Sequence, residues 1–308
     1  MSLSSTARGQ LDALTVARNR DGGWGYTRGR ASRLEPTCLA LLALTAAGTR
    51  PDCSVIVRWP TEAGFLVDPH SRVVNASDNA VALLAAQHAS TCAAGVAFAA
   101  GLATMLAGMK GVKLPPSSTN RQDNALQGWP WIVNTFSWVE PTAWCVLALG
   151  KWRHRQGDAS ISARVTEGER MLLDRVCRTG GWNYGNSNML GKDLPAYVPT
   201  TAIALLALQG RRDQQSVKKS LAFLWSHCLD ERSGLSLSLS RIALAVLGGV
   251  EPALAGVEPG LQSRRLMEIE AALGQTWETT EYLGNIPATA LALYAEAGAK
   301  ENHAAFRI

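Results

Sequence analysis

Four stretches of this chain open in one way and then turn almost purely apolar. They are RLEPTCLALLALTAAG (residues 33–48), WVEPTAWCVLALG (138–150), YVPTTAIALLALQG (197–210) and IPATALALYAEAG (286–298). A helix that is apolar on every side must be buried on every side. Proline is tolerated at a helix start, because the N–H it lacks has no intrahelical partner there. Several such helices in one chain therefore need one another as neighbours, and internal repetition is the first constraint on the fold.

Six apolar helices are expected, starting at Glu35, Asn75, Glu140, Pro199, Leu239 and Pro287, with Pro36, Pro141, Pro199 and Pro287 at the first helical position. A more amphipathic helix precedes each of them: STARGQLDALTVARN, SVIVRWPTEAGFLVD (broken at Pro60), the segment after Cys92, VTEGERMLLDRVC, QSVKKSLAFLWSHC and SRRLMEIEAALG. Six outer–inner pairs closed into a ring make an all-α, (α/α)6 toroid, one domain over residues 1–308. Two long insertions, KGVKLPPSSTNRQDNALQGWPWIVNTFSW and GGWNYGNSNMLGKDLPAYV, each precede an inner helix and so belong at the same end of the ring. Long loops inside a compact fold tend to be functional. That end is the expected site.

Composition narrows the function classes. Of 308 residues 47% are apolar and 18% charged, which suits a well-buried globular chain, and the net charge of +5 is spread out without a basic run between aromatics. Nucleic acid is not an expected partner. The start, MSLSSTARGQLDALTVARNRDGG, has no apolar core of signal-peptide length and no segment reaches 18 uninterrupted apolar residues, so a cytoplasmic protein is expected, with peripheral membrane attachment left open. Cys38, Cys53, Cys92, Cys145, Cys177 and Cys228 form no CxxC pair and read as buried free thiols. His70, His88, His154, His227 and His303 are expected in loops or outer segments. No nucleotide-loop, GxSxG or HExxH spacing occurs, and neither a cofactor nor a metal is called for.

The pieces RNRDGGWGYTRG…EPTCLALLAL, QGWPWIVNTFSWVEPTAWCVLAL and CRTGGWNYGN…VPTTAIALLAL resemble the repeat of the squalene–hopene cyclase and protein prenyltransferase β-subunit superfamily. The resemblance spans the chain as six hairpins and implies a terpenoid-cyclase-like toroid. It also implies an apolar, isoprenoid-like substrate and a homodimer or partner subunit over the open end. Protonating cyclases carry Asp-x-Asp-Asp-Thr-Ala at an inner-helix start. Here that stretch aligns with residues 138–143, so the resemblance puts Glu140 in place of the proton-donating middle Asp. Glu35 sits equivalently and is the second candidate acid. The zinc ligands of the prenyltransferases have no counterpart.

From the residues themselves, each glutamate has two readings. Burial among aromatics raises a carboxyl pKa, whereas the positive end of a helix dipole favours the anion. Trp24 and Trp182, repeated in register, are expected to clamp hairpins together. Trp129, Trp131 and Trp138, with Tyr184 and Tyr197, are expected to line a substrate pocket. Asp78 reads as an N-cap or a mouth residue, and Asp193 as a turn former or a contact for a polar substrate group. Two rival functions stand beside the cyclase-like one. One is a non-catalytic binding or scaffold toroid; the other is a glycan hydrolase or lyase using paired acids and sugar-stacking tryptophans.

Overall fold

The computed structural model describes residues 3–69, 71–89, 93–156, 158–248, 260–278 and 285–308. The inner helices are α2 (Leu34–Ala46), α4 (Ala76–Ala89), α6 (Val139–Gln156), α8 (Val198–Ala207), α10 (Gly234–Gly248) and α12 (Ile286–Ala297). Each packs on the next, and α12 packs back on α2, so six helices close a ring. Around it lie α1 (Ser5–Ala17), α3 (Ser54–Val57), α5 (Ala93–Gly108), α7 (Ala159–Asp174), α9 (Gln215–His227) and α11 (Leu261–Glu278). This is the all-α toroid expected from the repeats.

All-round burial of the inner layer is realised. Every residue of α2 except Glu35 and Thr45 is buried, and in α12 every residue except Glu296. Each fully buried leucine contributes about 1.5–3 kcal/mol, so the inner layer holds much of the stability. Glu296 is employed in turn: its carboxylate accepts from the Ser4 backbone N–H at 2.7 Å and the Ser4 hydroxyl at 2.6 Å, pinning α1 to α12.

A repeated clamp explains the Gly-Trp…Thr spacing. The backbone N–H groups of Trp24, Trp129 and Trp182 each donate to a threonine Oγ1, of Thr37, Thr142 and Thr201, at 2.9 Å. Their indole N–H groups donate to Leu14, Leu106 and Leu172 carbonyls of α1, α5 and α7 at 2.7–2.8 Å. One tryptophan thus ties an outer helix to the following inner helix. The preceding glycine is required sterically: a Cβ at Gly128 would lie 2.2 Å from Thr142 Oγ1, and one at Gly181 would lie 2.6 Å from Thr201 Oγ1. In the second repeat Leu66 and Asn79 take these places, with the Asn79 amide accepting from the Leu66 N–H and donating to its carbonyl, both at 2.9 Å.

Several expectations are corrected. The second outer helix is a single turn, Ser54–Val57, followed by a hairpin of β1 (Thr61–Glu62) and β2 (Phe65–Leu66). Pro60 stops the helix, and Gly64 at φ 83° makes the turn. The fifth inner helix starts at Gly234, ahead of Leu239. The prolines occupy the second helical position in α8 and α12 and the third in α2 and α6, still within the first turn. His88 and His154 lie in inner helices, α4 and α6, and His88 pairs with Glu301 at 3.0 Å; His70 and Cys92 lie outside the described residues. Cys38, Cys145, Cys177 and Cys228 are buried free thiols, and Cys53 is partly exposed.

The far end of the ring is closed by the C-terminal segment. Ala305 and Phe306 are fully buried; Ala305 N–H donates to Tyr294 Oη at 3.1 Å and Gln209 donates to the Phe306 carbonyl at 2.7 Å. Lys151 of α6 donates to the Ala304 carbonyl and, at 3.2 Å, to that of Arg307. No helix among the described residues is long and apolar enough to cross a membrane.

Candidate active site at the ring mouth

With the far end closed, the helix N-termini define the mouth. Three carboxyl groups stand in the first turns of three adjacent inner helices: Glu35 of α2, Asp78 of α4 and Glu140 of α6. Each is only partly accessible. Burial is the main cause that pushes all three pKa values up, Asp78 and Glu140 to about 7. The charge of Glu35 raises both of the others, so the three titrate as a coupled set. Burial is the leading cause at all three acids.

Local partners tune each acid differently. The Tyr26 phenol donates to Glu35 Oε2 at 2.8 Å, and this bond pulls the Glu35 pKa back down. Hydrogen bonding to the Trp144 side chain, one turn along α6, does the same for Glu140. Asp78 is raised further by Asp68 and lowered by Arg33, which are themselves joined at 2.7 Å on the rim. Asp78 is not the cap of α4. That role falls to Asn75, whose side chain accepts from the Asp78 N–H at 3.2 Å. Below the acids Cys38 is fully buried, and burial with the nearby carboxylates keeps its thiol protonated.

Aromatic side chains surround this cluster. Tyr184 and Tyr197 lie 5.4 Å apart, and Glu140 raises the Tyr184 pKa, placing the pair beside that acid. The Tyr184 carbonyl accepts from the Val139 N–H at 2.9 Å, and the Tyr26 carbonyl accepts from the Ile286 N–H at 2.9 Å, so both tyrosine loops are anchored to inner-helix starts. The third-repeat loop folds back through a Trp129–Trp138 bridge, and its Ile132 pairs with Asn75 at the start of α4. Tyr26, Ile132, Phe136, Tyr184 and Tyr197 are all more than two-fifths exposed or close to it, at 44%, 46%, 40%, 47% and 42%.

Three expected pocket residues sit elsewhere. Trp129 is fully buried with the Arg164 guanidinium 3.5 Å over its ring, and it belongs with Trp24 and Trp182 as a clamp. Its counterpart in the other repeats is betrayed by the 13-residue spacing to Thr142, the same as from Trp24 to Thr37. Asp193 lies in the hairpin of β3 (Asn188–Met189) and β4 (Lys192–Asp193), paired with Arg178 and facing α9 rather than the acids. Trp138 turns to a side cavity between the two insertions, its ring 4.8 Å from that of Phe136 and tilted by 37°. Trp131 is partly buried in the same loop. Sequence reasoning missed Arg33, Asp68 and Phe136; Arg33, the residue capping α2, was signalled only by its place two before Glu35. Among the described residues no cluster of His, Cys, Asp and Glu could hold a metal ion.

Neither a protein-family model nor a curated protein sequence matches the chain. Solved structures do resemble it. The GH76 α-mannanase of Bacteroides thetaiotaomicron superposes with a TM-score of 0.65 at 11% identity, over 97% of this chain and 95% of that one. A type II terpene cyclase from Scytonema gives 0.55 at 14% identity, over 96% and 98%. The ent-copalyl diphosphate synthase of Streptomyces platensis gives 0.50 at 21% identity over 92% of this chain, which spans 45% of that longer protein. At these identities the likeness establishes the architecture: the chain is an all-α toroid of the kind that terpene cyclases and GH76 mannanases share.

Proposed function

We propose that the ring mouth binds an apolar, isoprenoid-like molecule and that its carboxyl cluster donates a proton to it, with Glu140 as the donor and Glu35 as the coupled second acid. One observation carries this reading: Glu140, at a pKa of about 7, keeps a substantial protonated fraction at neutral pH at the opening of a ring whose inner helices are built from alanine and leucine. A neutral acid tolerates an apolar ligand, whereas an anion would have to be desolvated. In the step envisaged, the alkene π pair takes the Glu140 proton and forms a C–H bond, leaving a carbocation. Ring closure consumes a second π bond, and the final C–H proton returns to a carboxylate, so the net change is an isomerisation. Tyr184 and Tyr197 offer aromatic faces to the positive charge. The exposed aromatic rim is accounted for by a second copy or a partner subunit over the mouth.

A glycan-cleaving reading has its own support. A carboxylic acid titrating near 7 suits protonation of a leaving oxygen at neutral pH, and the likeness to the mannanase is in the same range as that to the cyclases. The test is incubation of wild type and Glu140→Gln with farnesyl and geranylgeranyl diphosphates, squalene and short oligosaccharides, followed by native mass spectrometry and product extraction. Isoprenoid turnover that disappears in Glu140→Gln supports the proposal. Oligosaccharide cleavage with no isoprenoid retained replaces it with the glycan reading. Isoprenoid retention without turnover leaves a binding protein and removes the catalytic role.

A further inference from the structure

Outside the mouth, the two insertions enclose a second cavity that the carboxyl chemistry does not use. One wall is the third-repeat insertion and the other the fourth. They are joined by the Leu190 N–H donating to the Thr119 carbonyl at 2.6 Å, and the third-repeat insertion is also tied to the end of α7 by the Asp123 N–H donating to the Asp174 carboxylate at 3.1 Å. The space measures about 280 Å³. That is just below the range typical of drug-sized ligands, and suits a single small ring.

Its lining has a definite chemistry. Phe136 and Trp138 supply adjoining aromatic faces, and Gly185 lies so close beneath the indole that a Cβ there would be 3.2 Å from it. Three side-chain amides, of Asn120, Gln122 and Asn124, face the same space. Gln122 donates to Asn124 Oδ1 at 2.9 Å and Asn124 donates to the Pro115 carbonyl at 2.8 Å, which fixes both amides in orientation. Two buried oxygens, Asn120 Oδ1 and Gln122 Oε1, have no hydrogen-bond partner among the described residues. Buried acceptors are normally satisfied, and each one left over needs an explanation. The charged lining residue is Arg175. It is nearly buried and neutralised by Asp174 at 3.0 Å, so the cavity offers no net attraction to an anion.

We propose that this cavity is a binding site for a neutral, polyhydroxylated ring of monosaccharide size, whose hydroxyls donate to Asn120 Oδ1 and Gln122 Oε1 while its C–H face lies on Phe136 and Trp138. A hydroxyl supplies the donor that both oxygens lack. An ammonium would supply one too, but would face the Arg175 guanidinium. A purely apolar ligand would leave both oxygens unpaired, at a cost of about 1–3 kcal/mol each. The proposal is independent of the proton chemistry at the mouth.

Ligand-observed saturation-transfer NMR on the full chain tests it, with methyl glucoside, methyl mannoside, methyl galactoside and myo-inositol as probes. At least one probe should show transfer into its ring C–H protons. The double variant Asn120→Ala/Gln122→Ala should weaken that probe's affinity about five-fold or more, with circular dichroism confirming the fold. Met189→Trp, which fills the cavity from the opposite wall and leaves both amides in place, should also abolish the signal and serves if the double variant does not fold. Glu140→Gln should leave the signal intact. The proposal is overturned if no probe shows transfer, if the signal survives the cavity variants, if it is lost in Glu140→Gln, or if inorganic phosphate displaces the probe.

Discussion

The Tyr26 hydroxyl donates to Glu35 Oε2 at 2.8 Å, and among the described residues it is the contact that favours the charged form of that glutamate against the burial that opposes it. Removing the bond should therefore raise the Glu35 pKa further. Because the charge of Glu35 raises both Asp78 and Glu140, a more neutral Glu35 should let those two fall. Tyr26→Phe thus moves the three acids in opposite directions, one up and two down. Carbon-detected NMR titration of the carboxyl groups reads this directly. A uniform shift of all three would show that the coupling runs through something other than Glu35.

Stability should carry the signature of the same cluster. The folded pKa values of Asp78 and Glu140 are about 7, while in the unfolded chain they lie at about 4. The folded state binds more protons across that window, so stability is fully present below the unfolded values and is lost as pH rises through the folded ones. Melting temperature should fall between about pH 4 and pH 8 by on the order of a few °C. Asp78→Asn and Glu140→Gln should each flatten the slope and melt higher than wild type at pH 8. A wild-type profile that rises with pH over this range would contradict the assignment.

The ring was legible in the sequence because its cause is local. A Pro-Thr start followed by a run of seven apolar residues can only be an interior helix, and four of the six outer partners, α1, α7, α9 and α11, carry their own amphipathic pattern, whereas α5 is apolar all round. The second outer helix failed for an equally local reason: SVIVRWPTEAGFLVD has helical apolar spacing, yet Pro60 and Gly64 turn it into a hairpin. The site was harder to read. Each acid could be placed at a helix start, but that Glu35, Asp78 and Glu140 share one electrostatic environment follows from ring closure. Trp129 was misplaced because a clamp is a tertiary relationship. The Thr142 hydroxyl that defines it lies across a loop that looks, as sequence, like an aromatic lid.

That clamp makes its own prediction. Thr142 Oγ1 accepts from the Trp129 N–H at 2.9 Å in a fully buried position. Thr142→Val keeps the shape and leaves the N–H unpaired, which should cost about 1–3 kcal/mol. Thr142→Ser keeps the hydroxyl and should cost distinctly less. Gly128→Ala should be the most damaging of the three, because its Cβ would lie 2.2 Å from Thr142 Oγ1. Chemical denaturation of the three variants checks the order. Equal stability of the valine and serine variants would show that packing, and not the hydroxyl, holds the repeat.

Ligand binding at the mouth should take up protons. An apolar molecule seated over the acids displaces water, and desolvation raises a carboxyl pKa. Asp78 and Glu140 titrate at about 7 before binding, so at neutral pH each is partly ionised and has room to gain a proton. Uptake should be greatest between about pH 7 and pH 8 and vanish near pH 5, where both groups are already protonated. Calorimetry with a non-reacting isoprenoid analogue, run in buffers of different ionisation enthalpy, measures the number directly. Glu140→Gln should reduce it without abolishing it, because Asp78 remains. Proton release on binding would mean that the ligand brings a cation or a hydrogen-bond donor to the carboxylates. That outcome would move the mouth away from an apolar substrate and towards a polar one.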